Sequence, residues 1–225
     1  MPFLCGPDPE FPYLDETVHF RFPDPDKADG NIVAVGGNLS PGMLLSAYEQ
    51  GIFPWYNEDD PILWQSPDPR CVIFPQKLHI SRTMQKVLRR GDYEIKFNKN
   101  FTGVIRGCRE IKRPGQEGTW ITDDIISAYT ELHRLHYALS AESYLDGTLV
   151  GGCYGVLLGN FFCGESMFSN AANASKAAFL GLAQFLFSGN KIAFIDCQVP
   201  TDHLRSFGGE ELSRKEFLKL LKRNL

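Results

Sequence analysis

The chain has 225 residues, 43% of them hydrophobic and 22% charged, a composition typical of a soluble globular protein with one large domain or a core domain and an appendage. Its longest strongly apolar stretch, 177–187, is too short to span a bilayer, and the N-terminus has neither the basic start nor the apolar core of a signal peptide. These features argue against a membrane-spanning or secreted protein, so we expect a cytoplasmic monomer without membrane contacts.

The net charge of −4 hides a strong polarity along the chain. Residues 1–60 hold eleven acidic and two basic side chains, whereas residues 70–113 hold twelve basic and three acidic ones. The last twelve residues add five basic side chains against one acidic. A solvated helix face is the simpler explanation, but an imbalance of this size favours a polyanionic partner.

The six cysteines form no CxxC pair and have no histidine at metal-ligand spacing, which indicates free thiols in a reducing compartment. His133 and His136 share a helix face, but no carboxylate motif accompanies them, and we interpret them as surface or packing residues. We therefore expect neither a metal nor a diffusible cofactor.

The N-terminal third combines loops rich in Pro, Asp and Gly with a few regular elements. The sequence GNIVAVGGN predicts a strand, and LSPGMLLSAYEQG predicts a helix capped by Ser40 and ended at Gly51. Residues 51–75 hold five prolines and two tryptophans, which predicts an ordered, aromatic-rich loop. We place a small N-terminal α/β domain at 1–70 and the main domain at 71–225.

Three helices and a strand are predicted next. HISRTMQKVLRRG and NFTGVIRGCREI predict basic helices, the first capped by Ser81 and closed by Gly91, and YEIKFN predicts a strand between them. EGTWIT predicts a tight aromatic loop, and Thr122 then caps the helix TDDIISAYTELHRLH.

The C-terminal part predicts an antiparallel meander followed by a strand–helix–strand unit. ALSAESYLD and LVGGCYGVLL are strands joined by the turn Asp146–Gly147, and Gly159–Asn160 turns into FFCGESMFS. The helix NASKAAFLGLAQFLF leads to the strand KIAFIDCQVP, which a right-handed crossover places parallel to FFCGESMFS. Two short helices and a basic tail complete the chain.

The strand KIAFIDCQVP carries two polar side chains, Asp196 and Gln198, on one face of an apolar run. A buried carboxylate must be paired, protonated or used, since leaving it unpaired is costly. The predicted element order is similar to the N-acyltransferase fold of the acetyltransferase superfamily, in which two parallel strands splay apart around the acyl group. We therefore expect an α+β fold whose main domain has a mixed, mostly antiparallel sheet, with both side chains facing the cleft.

A coenzyme A site is not expected. Acetyltransferases hold the pyrophosphate of that cofactor on a Gly-rich turn at the start of the crossover helix. Here the turn is SNAANAS, which has no glycine and one nearby basic residue, Lys176. A non-catalytic RNA-binding module would explain the charge and the aromatic residues, but it would leave the polar residues of the cleft without a purpose.

Seven motifs give the chain a specific resemblance: GIFPWY, LWQSPDPR, LHISR, EGTWIT, FCGESMFS, NASK and IDCQV. From about Asn31 to Gly208 the chain resembles the leucyl/phenylalanyl-tRNA–protein transferase family. The resemblance implies transfer of Leu or Phe, and more weakly Met, from aminoacyl-tRNA to proteins with N-terminal Arg or Lys, which marks them for the bacterial N-degron pathway. A ligase of cell-wall peptide bridges shares the fold and the donor, but such proteins usually carry two of these domains.

The resemblance implies roles for three polar residues of the cleft. Gln198 would hold the α-amino group of the acceptor, and Asp196 would polarise or deprotonate it as a general base. Glu165, at the end of the facing strand, would pair with the positive charge of the acceptor. The alternative for Asp196 and Gln198 is a strand-end pair that only satisfies backbone groups.

Further residues are expected to bind the aminoacyl end of the tRNA. Trp55 and Trp120 would stack on the 3′-terminal adenosine, with Tyr129 near the same site. Ser169 and Asn173 would hydrogen-bond the ribose or the ester.

Five residues are candidates for the apolar pocket around the Leu or Phe side chain, although plain core packing is the alternative for each. They are Cys153, Phe162, Met167, Leu182 and Ile195. The resembled family tends to have bulkier residues at Cys153 and Leu182, so a roomier pocket that favours Phe is expected.

The basic helices 82–90 and 106–113 are expected to lie along the phosphates of the tRNA acceptor stem. Four residues would make these contacts without reading sequence: Arg82, Lys86, Arg89 and Arg90. Selection would then depend on the amino acid and the single-stranded 3′ end.

Overall fold

The computed structural model describes residues 5–111 and 119–225, and its first elements form a small antiparallel sheet with one helix. The strands are β1 (Ile32–Val35), β2 (Phe53–Pro54) and β3 (Leu63–Gln65), in the order β1–β3–β2, and helix α1 (Pro41–Glu49) connects the first two. Ser40 precedes α1 as expected, but its hydroxyl donates to Asn38 Oδ1 instead of capping the helix.

The next elements follow the predicted order, with one strand more. They are β4 (Arg70–Ile73), α2 (Arg82–Arg90), β5 (Glu94–Phe97), α3 (Phe101–Glu110) and α4 (Asp123–Arg134). The predicted caps are confirmed: the Ser81 and Thr122 hydroxyls accept from backbone N–H groups of α2 and α4, and Gly91 ends α2 at φ 67°. Part of the predicted EGTWIT loop and the end of the second basic segment lie outside the described residues.

The C-terminal elements are the predicted meander, the predicted strand–helix–strand unit and the two predicted short helices, with a short strand between those helices that was not predicted. They are β6 (Ala138–Leu145), β7 (Thr148–Leu158), β8 (Phe161–Ser169), α5 (Ala174–Phe187), β9 (Phe194–Gln198), α6 (Asp202–Arg205), β10 (Glu210–Leu212) and α7 (Arg214–Lys222). In the described chain the large sheet has the order β10–β4–β9–β8–β7–β6–β5, and β8 and β9 are its parallel pair. The predicted α+β class with a mixed, mostly antiparallel sheet is confirmed.

The prediction of an ordered loop at 51–75 was wrong, because β2, β3 and β4 lie within it. The prolines that suggested a loop occupy strand ends and turns, where no ladder hydrogen bond is lost. Strand β4 pairs with β9 and β10, both of which follow more than a hundred residues later. Long-range pairing of this kind leaves no local sequence signal.

Strands β8 and β9 pair only over Phe161–Cys163 and Phe194–Asp196. Beyond that point β8 continues on β7, whereas β9 ends at Gln198 against β4. The two parallel strands thus stop pairing at their carboxyl ends, which opens the cleft that the sequence predicted.

The main hydrophobic core joins both parts of the chain. It contains Leu44 and Trp64 from the N-terminal segment together with Phe161, Phe194 and Phe217. The division into domains at residue 70 stays a prediction. Within the described ranges, the helices are all too short or too polar to cross a membrane.

Candidate active site

A cavity of about 630 Å³ opens where β8 and β9 stop pairing. One wall comes from the N-terminal segment at 53–57, and the opposite walls come from β7, β8, α5 and the segment that follows β9. The lining includes Cys153, Phe162, Met167 and Phe179. A mostly apolar cavity of this volume with a few polar groups is typical of a ligand site.

A chain of hydrogen bonds crosses the polar end of the cavity. Gln198 Nε2 donates to Glu165 Oε1 at 2.8 Å, and both residues line the cavity. The hydroxyl of Tyr129 donates to Glu165 Oε2 at 3.2 Å, and it is itself hydrogen-bonded to the hydroxyl of Tyr48. Four elements, α1, α4, β8 and β9, therefore meet at one carboxylate.

The environment of Glu165 raises its pKa to about 7. Burial is the main cause, because the carboxylate loses water, and the negative charge of Asp196 raises the pKa further. Hydrogen bonds from Tyr48 and Tyr129 and the positive charge of Arg70 lower it. A carboxyl group with a pKa near neutrality can exchange a proton under physiological conditions.

The backbone of Gln198 has a φ of 61°, a left-handed conformation that is uncommon for a residue other than glycine. A register irregularity in the β4–β9 pairing lies next to it, between Cys71 and Val72. This conformation ends the strand alternation, so that Cys197, Gln198 and Val199 all line the cavity. Strained backbone of this kind is often found at functional sites.

The prediction that Asp196 faces the cleft was wrong. Its side chain is fully buried, and both oxygens accept from Arg70, Oδ1 from Nε at 2.8 Å and Oδ2 from Nη2 at 2.7 Å. Oδ1 also accepts from the backbone N–H of Gln198 at 2.9 Å. The sequence did not reveal that β4 would bring an arginine to this carboxylate.

Five predicted binding residues line the cavity: Trp55, Trp120, Cys153, Phe162 and Met167. Trp55 is 42% exposed, so part of it is accessible to a ligand. These positions are compatible with the predicted binding roles, which stay predictions.

Five other predicted residues do not line the cavity. Leu182 and Ile195 are buried in the second hydrophobic cluster, because their faces of α5 and β9 pack against other elements. Ser169 and Asn173 lie at the turn into α5, where the Ser169 hydroxyl donates to the Ala171 carbonyl. Tyr129 is fully buried, and it contacts two residues of the cavity lining, Glu165 through its hydroxyl and Tyr154 through its ring.

The four predicted phosphate-binding residues are exposed on α2. Arg90 forms a bidentate ion pair with Asp92, whereas Arg82 and Lys86 lie one turn apart on the helix. Of the second basic segment, residues 112 and 113 lie outside the described residues, and Arg109 forms an ion pair with Asp123.

Sequence reasoning missed Arg70, Tyr48 and His203. Arg70 is the last residue of the motif LWQSPDPR, which was a signal without an assigned role. Tyr48 looked like an apolar-face residue of α1, and it is fully buried. His203 lines the cavity with Nε2 3.3 Å from the sulfur of Met167, and burial lowers its pKa.

Two family models match the chain. The model of leucyl/phenylalanyl-tRNA protein transferase matches residues 72–222, and the model of the N-terminal domain of the same transferase matches residues 37–68. The chain belongs to the leucyl/phenylalanyl-tRNA–protein transferase family. It is therefore an aminoacyltransferase, as the motifs predicted.

Individual relatives agree with this assignment. The leucyl/phenylalanyl-tRNA–protein transferase of Myxococcus xanthus is 51% identical over 90% of this chain and 86% of its own length. That of Flavobacterium johnsoniae is 50% identical over 89% of this chain and 95% of its own length. That of Nitrosospira multiformis is 53% identical over 85% of this chain and 82% of its own length.

Two solved structures show distant similarity to the chain. A GCN5-related N-acetyltransferase from Kribbella flavida matches with a TM-score of 0.40 and 9% identity, over 77% of this chain and 62% of that one. The L-PGS structure from Bacillus licheniformis matches with a TM-score of 0.43 and 12% identity, over 69% of this chain and 64% of that one.

Proposed function

We propose that this enzyme transfers Leu or Phe, and more weakly Met, from aminoacyl-tRNA to the α-amino group of proteins that begin with Arg or Lys. The modified proteins would then enter the N-degron pathway. The observation that carries the chemistry is the Gln198–Glu165 pair, which lines a mostly apolar cavity.

Glu165 is the general base of this proposal. It first attracts the α-ammonium group of the acceptor and accepts one of its protons, for which a pKa near 7 is well suited. The neutral amine then attacks the ester carbonyl carbon. A C–N bond forms, the bond from the carbonyl carbon to the ribose 3′ oxygen breaks, and that oxygen takes the excess proton of the attacking nitrogen as it leaves. Glu165 then releases its proton to solvent.

Gln198 orients the amine. Because its Nε2 donates to Glu165, the carboxamide oxygen is the group that can accept an N–H bond from the acceptor. Asp196 does not contact the cavity, and its role is to hold the backbone N–H of Gln198. The general-base role predicted for Asp196 therefore passes to Glu165.

The walls of the cavity suit the aminoacyl end of the donor. The apolar part, with Cys153, Phe162 and Met167, would enclose the Leu or Phe side chain. Trp55 and Trp120, at other parts of the wall, would stack on the terminal adenosine, an interaction worth about 1–3 kcal/mol per base. The exposed cations of α2 would contact acceptor-stem phosphates.

A transfer assay tests the proposal. The enzyme would receive radiolabelled Phe-tRNA or Leu-tRNA with peptides that begin with Arg, Lys or Gly. We expect label on the Arg and Lys peptides, none on the Gly peptide, and loss of label with Glu165→Gln. Tight binding of charged tRNA without transfer to any peptide would contradict the proposal and favour an RNA-binding module.

A further inference from the structure

We propose that Arg70 is a positioning residue for the transfer reaction: it holds Asp196, and Asp196 in turn fixes Gln198 at the cavity wall. This inference rests on the proposed function. It assigns a task to the single buried ion pair that joins β4 to β9 among the described residues.

The guanidinium of Arg70 is fixed from several directions. The side chain is 1% exposed, and two of its nitrogens donate to Asp196 in a bidentate pair. Nη1 donates to the carbonyl of Gly51 at 3.2 Å. The rings of Phe53 and Phe217 lie 4.9 and 4.5 Å from the guanidinium carbon, so cation–π contacts add to the hydrogen bonds.

The position of Asp196 decides the position of Gln198. Oδ1 of Asp196 accepts both from Arg70 and from the backbone N–H of Gln198. The latter bond stabilises the left-handed conformation at Gln198, which directs its carboxamide to Glu165. Without the bidentate pair the Asp196 carboxylate can rotate, and Gln198 can relax towards extended backbone and away from Glu165.

The ion pair also acts on Glu165 through its charges. The titratable and charged groups that face Glu165 come from five elements: Tyr48, Tyr129, Cys163, Asp196 and Arg70. Arg70 lowers the pKa of Glu165, and Asp196 raises it. Loss of the Arg70 charge should therefore move the acid limb of the pH–activity profile upward, and loss of the Asp196 charge should move it downward.

The test compares Arg70→Lys with wild type by kcat, by KM for Phe-tRNA and by melting temperature. We expect kcat to fall at least about tenfold while KM changes less than about threefold, because the residues proposed to contact the aminoacyl end of the tRNA are unchanged. In a Gln198→Ala background the same substitution should lower kcat less than about twofold, since Arg70 acts through Gln198. Equal losses in both backgrounds, or full kcat in a folded Arg70→Lys variant, would overturn the inference.

A matched control and a second variant keep the test decisive. Arg214 is another buried arginine, which donates to the carbonyls of Pro25 and Gly30, so Arg214→Lys should lower the melting temperature without changing kcat or the pH profile.

If Arg70→Lys does not fold, Asp196→Asn is the second variant. It retains the size of the side chain and should move the acid limb of the pH–activity profile downward. An unchanged or upward-shifted limb would overturn the inference. Absence of transfer by wild type would overturn the proposed function as well, whereas active wild type with fully active variants would overturn this inference alone.

Discussion

In the proposed mechanism, the chemistry of this enzyme depends on Glu165. Burial raises the pKa of its carboxyl group and the hydroxyls of Tyr48 and Tyr129 lower it, so that both protonation states are populated near the resulting pKa of about 7. The base must be deprotonated to act, so kcat should rise with pH and level off above about 7. We expect Glu165→Gln to lower kcat by about 10²–10⁴-fold and to remove this pH dependence.

The measurement is kcat from about pH 5.5 to about pH 8.5 with saturating Phe-tRNA. Glu94→Gln is the matched control, because Glu94 is exposed on β5. A Glu165→Gln variant that keeps the wild-type profile would show that another group carries the proton.

The same carboxylate should cost stability at neutral pH. Its pKa in the folded chain, about 7, lies above the ordinary 4.5, so the folded state binds more protons between those values. The contribution of this group to stability is therefore present below about pH 4.5 and lost as the pH rises through about 7. Glu165→Gln should raise the free energy of unfolding by about 1–3 kcal/mol more at pH 8 than at pH 5, measured by urea denaturation. An equal effect at both pH values would contradict this.

The predicted roomier pocket, which would favour Phe over Leu, now depends on Cys153 alone. Cys153 lines the cavity and Leu182 does not. Cys153→Met should therefore reduce kcat/KM for Phe-tRNA several-fold more than for Leu-tRNA, because the added atoms take up space that the ring needs. Leu182→Met is the matched control and should leave the ratio unchanged. Competition between the two charged tRNAs measures the ratio of kcat/KM for Phe-tRNA to that for Leu-tRNA. An unchanged ratio in Cys153→Met would contradict the assignment of Cys153 to the amino-acid pocket.

Some individual residues of the candidate site could be predicted from the sequence, and others could not. Gln198 and Glu165 could be found because polar side chains are unexpected at the ends of apolar strands. Arg70 and Tyr48 could not, since arginine after a Pro-rich loop and tyrosine on a helix are ordinary residues at such places. Their roles come from contacts across 126 and 81 positions of the chain, which no local pattern encodes.

Among the elements, β7 and β8 approach closely just where the cleft begins. Gly155 and Gly164 are register partners, but a Cβ on Gly155 would lie 2.0 Å from the carbonyl oxygen of Cys163, whereas one on Gly164 would meet its nearest atom at 3.7 Å. Gly155→Ala should therefore force the strands apart and destabilise the fold by at least about 2 kcal/mol. Gly164→Ala should change stability by less than about 1 kcal/mol. Urea denaturation measures the free energy of unfolding of both variants. Equal losses would contradict the close approach of the two strands at Gly155.

Element prediction succeeded where local chemistry fixes the structure. Capping residues marked the helices α2 and α4, and the turn Asp146–Gly147 marked the hairpin of β6 and β7. It failed at β4, whose hydrogen bonds come entirely from distant partners. The fold of the C-terminal part could thus be predicted, but the strand that carries Arg70 could not.

Across the whole molecule, charge polarity should control the encounter with tRNA. Arg82 and Lys86 on α2 form an exposed i,i+4 pair, and Lys215 and Lys219 on α7 form another. Replacing the first pair by Ala should reduce the slope of log kcat/KM against log salt by up to about 2, since two phosphate contacts are lost. Replacing the second pair should leave the slope unchanged. Equal slopes for both double variants would contradict an α2-centred interface.

The pairing of β4 between β9 and β10 has a consequence during synthesis. Arg70 leaves the ribosome 126 residues before Asp196, which at about 5–20 residues per second is a delay of roughly 6–25 s. During that time β4 has neither of its neighbours outside the ribosome. The Gln198–Glu165 pair therefore forms only after β9 has emerged. An aminoacyltransferase built in this way cannot complete its cavity before β9 has been synthesised.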